Sequence, residues 1–423
     1  MADLVPDGEG VMPTKVLALD LATTSADVPV GDGYAHAFVL CTWRDQPLGQ
    51  VRVPTTGGRL AIESLREAAF EACRTRLASA IVTERLGLTL PEPCGPLPST
   101  SVIVCTRDRP DDLRRCLTHL QAARPADVEV IVVDNAPRDW RTKSVVRASG
   151  ARYVCEPRQG LGWARMCGAH AACGEVLLYT DDDVVVTKGW VDAMRRPLRD
   201  PSVAAVTGLV VPWELETEAQ ELFERHVGFS RGFERREFSA LTIAPLAAGS
   251  VGAGASLAFR RDLVRSLGLF AVELGAGTIA RAAEDTWALY RLLRVGFRIV
   301  YTPEAWVWHQ HRRENDALLS QLRGYATGTV CFALRALIED REGDALQTLW
   351  WLLRHHLTPR LWHGIRRRPG SVPVSLTLAE WRGALTGPGA YVVSRWRERH
   401  VRRTNGTTTP VHSATVPPSL TEA

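Results

Sequence analysis

The sequence predicts an α/β protein whose main domain is a parallel sheet between helix layers, preceded by a small α+β module and followed by a helical extension. Three observations carry this prediction. Short Val/Ile-rich runs alternate with helix-length segments between residues 101 and 180. Two strand-like segments and a long amphipathic stretch come before a cluster of prolines. After about residue 315 the chain turns helical and then strongly basic. With 423 residues, 45% hydrophobic and 23% charged, it is long enough for two or three globular units and lacks the composition of a globally disordered chain.

In the first module, residues 1–90, Val16–Leu21 and Ala35–Trp43 read as strands, Gln46–Gly49 as a turn into Gln50–Pro54, and Ile62–Leu86 as a helix. No cluster of titratable side chains marks this module, which reads as an accessory domain; packing, self-association and partner docking all stay open. Pro91, Pro93, Pro96 and Pro98 mark a linker over 91–98. The main domain, 99–330, then opens with strands at Ser101–Cys105, Val128–Asp134, Ala151–Cys155 and Glu175–Thr180 and a helix over Pro110–Ala123. Ser239–Phe259 carries no charge, but Pro245, Gly249, Gly252 and Gly254 break it, so it reads as loop and strand and not as a membrane span. A helix over Glu284–Val295 and a strand over Phe297–Tyr301 follow. Leu318–Ile338 and Ala345–Leu353 are helix candidates, the basic helical extension spans 331–403, and 404–423, rich in Thr, Ser and Pro, is expected to be disordered.

Asp181-Asp182-Asp183 closes the strand-like Glu175–Thr180. A solvated turn accounts for an isolated acidic triplet, because adjacent like charges cost little in water. Here two other polar groups also fall at predicted strand ends, Thr106-Arg107-Asp108 and Asp134-Asn135. In an open α/β sheet such ends line one crevice, where ligands bind. Carboxylates gathered there suit a hard divalent cation and the phosphates it holds.

Ser101-Val-Ile-Val-Cys-Thr-Arg-Asp-Arg-Pro110, Val132-Val-Asp-Asn135, Gly160-Leu-Gly-Trp-Ala-Arg165 and Thr180-Asp-Asp-Asp183 resemble the nucleotide-sugar half of family-2 glycosyltransferases with the GT-A fold, a Rossmann-like nucleotide-diphospho-sugar transferase domain. Gly252-Ala-Gly-Ala-Ser-Leu-Ala-Phe-Arg260, Glu284-Asp285 and Trp308-His-Gln-His311 resemble the acceptor half, and the likeness runs roughly over 99–330. It implies inverting transfer of a sugar from a nucleoside diphosphate to an acceptor hydroxyl. Asp134 would accept from the nucleobase; Thr106, Arg107 and Asp182 join the donor-binding group; Arg165 would face the diphosphate. Asp181 and Asp183 would hold Mg2+ or Mn2+, with His309 as third ligand and His311 as a diphosphate contact or reserve ligand. Asp285 would be the general base and Glu284 would orient the acceptor or hold the loop. Met166, Cys167 and Trp287 depart from the commoner family pattern, so donor choice is open, and Trp287 offers a ring for sugar stacking.

The residues themselves agree with that chemistry. A guanidinium is a fixed fork of donors with a permanent charge, and a hydroxyl nucleophile needs a carboxylate within hydrogen-bond reach. Acidic residues in a first helical turn, however, are also ordinary partners of the helix dipole. A histidine beside tryptophans is also an ordinary packing residue.

From Arg354 to Arg403 there are eleven arginines and two acids, Glu380 and Glu398, a local charge of +9 in a chain of net +4. Trp350, Trp351, Trp362, Trp381 and Trp396 lie in or beside this stretch. Interleaved indoles and arginines suit an anionic membrane surface, although a solvated helical face in an arginine-rich chain has the same composition. No zinc, helix-turn-helix or RNP signature accompanies the charge, so no nucleic-acid partner is expected. Nine scattered cysteines without a CxxC pair, and a start without a secretory signal, point to reduced, buried thiols in a cytoplasmic protein, peripheral on the inner face of the cell membrane. The expected partners are a nucleoside-diphosphate sugar and a glycan, lipid-linked or small-molecule acceptor. A non-catalytic nucleotide-sugar scaffold is the competing reading; a sugar-1-phosphate nucleotidyltransferase fits less well, since Thr106–Pro110 has no glycine-rich phosphate loop.

Overall fold

The computed structural model describes residues 13–88 and 95–404. The first residues of the N-terminal module, residues 91–94 of the linker and the tail beyond 404 lie outside the described residues. The N-terminal module is a three-stranded sheet of β1 (Thr14–Asp20), β3 (His36–Trp43) and β4 (Gln46–Pro54), with two short strands, β2 (Val28–Pro29) and β5 (Arg59–Leu60), paired beside it and α1 (Ile62–Arg85) packed on one face. Gln46–Gly49 is not the turn expected there. Trp43 pairs with Gln46, so the reversal is made by Arg44 and Asp45, both left-handed at φ 46° and 68°. That is the handedness a two-residue hairpin loop needs. Pro47 is tolerated because it sits at the register shift, where no ladder donor is required.

The main domain is built on a nine-stranded sheet. Its parallel half is β6 (Thr100–Thr106), β7 (Glu129–Asn135), β8 (Arg152–Glu156) and β9 (Val176–Asp181), in the order β9-β6-β7-β8. β6, β7 and β9 are apolar runs buried on both faces, as a sheet sandwiched between helices demands, whereas β8 at the edge is partly exposed. α2 (Pro110–Ala123), α3 (Arg141–Ser149) and α4 (Leu161–Ala171) make the crossovers. The other half adds β13 (Leu257–Arg260), antiparallel to β9, then β11 (Val203–Pro212), β14 (Arg298–His309) and β10 (Val184–Val186), with β12 (Arg236–Phe238) also on β14.

The register brings the polar strand ends together. Cys105 pairs with Asp181, Thr106 with Asp134, and Val184 with His309. The strand expected over Phe297–Tyr301 is the first part of a longer one, β14, which begins at Arg298 and runs to His309. That strand carries His309 to the acidic triplet.

The N-terminal module docks on this sheet at β11 and β14, where Leu40 packs with Leu209, Val211 and Tyr301, and Arg52 pairs with Glu221 at 2.7 Å. After β14, α9 (Asn315–Glu339) and α12 (Val374–Thr404) pack on each other. α9 runs unbroken through residue 330, so the boundary expected there falls inside a helix. The expected helix over Ala345–Leu353 is the start of a longer run: α10 (Ala345–Trp351), a π turn over Leu352–Leu357, and α11 (Thr358–Ile365). Of the eight described cysteines, all free, Cys155 and Cys173 are exposed and not buried as expected.

α4 lies unusually close to the loop that follows α7 (Arg261–Leu267). A Cβ on Gly162 would fall 2.7 Å from the Ala271 carbonyl oxygen and 2.9 Å from Val272 Cα. Overpacking of this kind costs about 1–3 kcal/mol. The Gly162→Ala variant is therefore expected to lose stability in that range, read as a lower denaturant midpoint with unchanged slope; an unchanged midpoint would contradict this packing.

Candidate active site

Three strand ends supply one wall of the cleft. Asp182 and Asp183 are buried, Asp181 half-buried. The Thr106 hydroxyl donates to Asp182 at 2.7 Å, and Arg109, just before Pro110 opens α2, reaches both Asp182 (2.7 Å) and Asp183 (2.9 Å). Thr106 and Asp182 thus bond to each other. Burial, reinforced by neighbouring Asp183, pushes the Asp182 carboxyl up to about 7. Burial also acts on Asp183, but His309, Arg109 and Arg312 outweigh it and hold that carboxyl below its usual range. Asp183 is therefore ionised at neutral pH.

Asp181, Asp183 and His309 each offer a ligand atom, all within 4.8 Å of one another. Behind His309 lies a short relay. Its Nδ1 is 3.2 Å from His311 Nδ1, and His311 Nε2 is 3.0 Å from Glu224 Oε2, on α6 (Glu218–His226). Glu224 accepts the His311 Nε2 proton, which leaves His311 Nδ1 to accept from His309 Nδ1. The His309 Nε2 lone pair then faces Asp183, 3.5 Å away. Burial drives His309 down to about 4, so its ring is neutral at pH 7. A carboxylate-backed imidazole of this kind is how metal-binding histidines are oriented. Both ring nitrogens of His311 are thus engaged in this relay.

At the end of β7, Asp134 is fully buried. Tyr153 donates to its Oδ2 at 3.0 Å, while Oδ1 has no partner. An unpaired buried acceptor is costly, and burial raises this carboxyl to about 6. Arg107 Nε, from the neighbouring strand end, is also buried without a hydrogen bond, its nearest ion-pair partner being Asp108 Oδ2 at 3.8 Å. Asn135 ties this strand end to the start of α4, accepting from Gly160 N at 2.9 Å and donating to the Arg158 carbonyl at 2.7 Å.

α4 presents Arg165, 2% exposed, between the two walls. Its guanidinium is 3.1 Å from Glu284 and 3.5 Å from Asp181, and donates to the Gly254 carbonyl at 3.3 Å. Glu284 and Asp285 open α8 (Glu284–Arg294), after Arg281 and Ala283 in left-handed conformations at φ 70° and 78°. For residues other than glycine that backbone costs about 1–3 kcal/mol each and gathers at functional sites. Burial lifts the Glu284 carboxyl to about 7 against the pull of Arg165. Gly275, at φ 90°, leaves room for it: a Cβ there would meet Glu284 Oε2 at 2.6 Å. Asp285 is half-buried; its Oδ1 accepts from Thr286 N at 2.7 Å, and its Oδ2 lies 2.9 Å from where a Gly254 Cβ would stand. Trp287, 1% exposed, packs on Tyr290 and Phe332 under Arg335, so it is closed to a stacking sugar.

Sequence reasoning missed Arg109 and Glu224. Arg109 lies inside the Thr106–Pro110 segment, but its partner Asp182 is 73 positions away, so nothing local marks the contact. Glu224 sits 87 positions from its partner His311 and carried no signal either.

Two outcomes follow. With a folded-state value near 6 against an ordinary value of about 4, Asp134 favours the protonated fold, a stabilisation complete below about pH 4 and lost as pH rises through 6. Asp134→Asn should therefore raise the melting temperature at pH 8 more than at pH 4; an equal effect at both would contradict the burial account. Replacing His311 by Phe keeps the aromatic packing but leaves His309 Nδ1 unheld, and is expected to weaken Mn2+ binding by about 10–100-fold in calorimetric titration; wild-type affinity would show that the relay does not orient His309.

Residues 101–268 match the family model for glycosyl transferase family 2. The chain is 26% identical over 283 residues to the pre-mycofactocin glycosyltransferase of Mycobacterium tuberculosis, covering 66% of this chain and 55% of that protein. It is 29% identical over 234 residues to the succinoglycan biosynthesis protein ExoM of Rhizobium meliloti, covering 52% and 69% respectively. The chain thus spans just over half the length of the first of these relatives. Among solved structures, a mannosyltransferase from Pyrobaculum calidifontis in complex with GDP-Man and Mn2+ aligns with a TM-score of 0.49 and 18% identity, covering 74% of this chain and 98% of that one. The matched span, residues 101–268, holds the strand-end motifs from Thr106 to Asp183 and the strands that present them, so this central part of the chain is similar to glycosyl transferase family 2.

Proposed function

We propose that the protein transfers a sugar from a nucleoside-diphosphate donor to an acceptor hydroxyl, with inversion at the anomeric carbon. The observation that carries this reading is the meeting, across one buried arginine, of the Asp181/Asp183/His309 cluster with the Glu284/Asp285 pair. The names of the glycosyltransferase relatives support the reaction class.

On the donor side, the unpaired Asp134 Oδ1 is an acceptor for a nucleobase N–H, and Arg107 borders the same strand ends. Two carboxylates and a neutral imidazole are a donor set suited to Mn2+ or Mg2+, the nitrogen ligand being the more usual for Mn2+. What such a cation supplies there, when bound, is charge neutralisation on the departing diphosphate. Arg109 and Arg312, 2.9 Å and 3.9 Å from Asp183, flank the same position with permanent positive charge.

On the acceptor side, Asp285 is the group with an open carboxylate oxygen, and it takes the acceptor hydroxyl proton. The acceptor oxygen bonds to the anomeric carbon as the bond to the phosphate oxygen breaks on the opposite face, which inverts the centre. The nucleoside diphosphate leaves with the bonding pair. Glu284, pinned by Arg165 and Gly275, holds the start of α8 in place.

The discriminating variant is Asp285→Asn. Loss of a general base costs about 10²–10⁴-fold in rate, so transfer should fall in that range while calorimetric binding of the nucleoside diphosphate with Mn2+ is kept. Transfer at the wild-type rate would remove Asp285 as base. A wild-type chain that binds the donor and transfers to no hydroxyl would favour a nucleotide-sugar scaffold.

A further inference from the structure

The helices after β14 carry a surface for which neither the sugar donor nor the acceptor hydroxyl has a use. Along α10, the π turn and α11, the inward side is a line of Ala345, Leu349, Leu352, Leu357, Leu361 and Gly364. Leu352 and Leu357 pack there with Val330 of α9 and Ala384 of α12. One position further along at each step runs an outward line of Leu346, Trp350, Leu353, Thr358, Trp362 and Ile365, all exposed. The step from Leu352 to Leu357, like that from Leu353 to Thr358, is five residues. An α-helix would rotate such a step off its face, whereas the π turn, with its i→i+5 bonding, brings it back into line. The π turn thus keeps one apolar stripe continuous over both helices. α12 adds a second outward line, Leu378, Leu385, Val392 and Trp396, with Leu385 73% and Trp396 63% exposed.

The charge around these stripes has one sign. Between residues 345 and 404 the only acids are Glu380 and Glu398, both buried and paired, with Arg360 and Arg395 respectively. Arg354, Arg366, Arg367 and Arg368 beside the first stripe, and Arg382, Arg397, Arg399 and Arg403 on α12, are exposed. Arg366 lies over the Trp362 ring at 4.1 Å, the pairing of cation and indole that seats at a bilayer interface.

We propose that this face binds the surface of an anionic lipid bilayer, with α10 to α11 lying in the interface plane. Exposed apolar patches of this kind mark interaction sites. A second copy of the chain is disfavoured as occupant, because its matching face would oppose arginine with arginine. Nucleic acid would use the arginines and indoles but leave Leu346, Leu353, Ile365, Leu385 and Val392 without a partner. A bilayer takes both, with apolar side chains entering the acyl boundary and arginines meeting the headgroup phosphates. No helix among the described residues is long and apolar enough to cross the membrane, so the contact is peripheral.

The test is flotation of the full chain with vesicles of phosphatidylcholine alone and of equal parts phosphatidylcholine and phosphatidylglycerol, at low and high salt. Binding is expected to the anionic vesicles only, to weaken with salt, and to shift indole emission to the blue. Arg366→Ala/Arg367→Ala/Arg368→Ala should lower the partition coefficient by about a hundredfold, each charge near the surface contributing about fivefold. Trp350→Ala/Trp362→Ala should lower it at both salt concentrations. These side chains are exposed, so a matching melting temperature confirms that the variants are folded. Equal binding to neutral and anionic vesicles, no binding to either, or capture of an RNA oligonucleotide in preference to vesicles would each overturn the proposal, and none bears on sugar transfer.

Discussion

The arrangement of the cleft depends on one buried guanidinium. Arg165 stands between Asp181, at the end of a central strand, and Glu284, at the start of the helix that closes the opposite wall. Removing one partner of a buried charge pair costs about 3–5 kcal/mol, because the remaining charge is left without compensation. Here one cation compensates two walls at once, so it sets their separation as well as their charge. The close approach of α4 at Gly162 and the Asn135 contacts at the head of that helix both serve to place this arginine.

Five carboxylates, Asp181 to Asp183 with Glu284 and Asp285, share this small volume. Two are pushed to about 7 by burial and mutual repulsion, and Asp183, the one nearest His309, Arg109 and Arg312, is held below its usual range. The environments therefore sort the carboxylates: Asp182 and Glu284 are absorbed into protein contacts, Asp183 faces His309 in the candidate cation site, and Asp285 keeps an open oxygen. Backbone strain at Arg281 and Ala283 accompanies the last of these placements, as functional sites commonly show.

Much of the parallel half was legible in the sequence, because strands buried on both faces are continuous Val/Ile runs and a buried crossover helix keeps its period; the helix over Pro110–Ala123 is an example. The strand-end position of Asp134 and of the triplet followed from the same pattern. What was not legible depended on pairing between distant segments. The register of β10 against β14 sets His309 beside Asp183, and nothing local to either strand announces it. Glu224 behind His311, and Arg109 on two carboxylates, are likewise tertiary facts. Trp287 misled for the opposite reason: a tryptophan next to an acidic pair reads as a sugar platform, but the helical extension covers it with Phe332 and Arg335.

The extension also reaches the acceptor side of the cleft. Glu273, in the loop leading to Gly275, is held by Arg335 from α9 and by Ser394 and Arg395 from α12. One side of α12 thus steadies the active-site loop while the other carries the basic, apolar face. The central claim, that donor and acceptor groups meet around one cation site, is tested most directly by a crystal structure with Mn2+ and a nucleoside diphosphate. The account predicts an anomalous peak held by Asp181, Asp183 and His309, with Arg165 still bridging Asp181 and Glu284 and Asp285 facing the diphosphate. A peak ligated elsewhere, or a nucleotide bound away from Asp134 and Asp285, would contradict it.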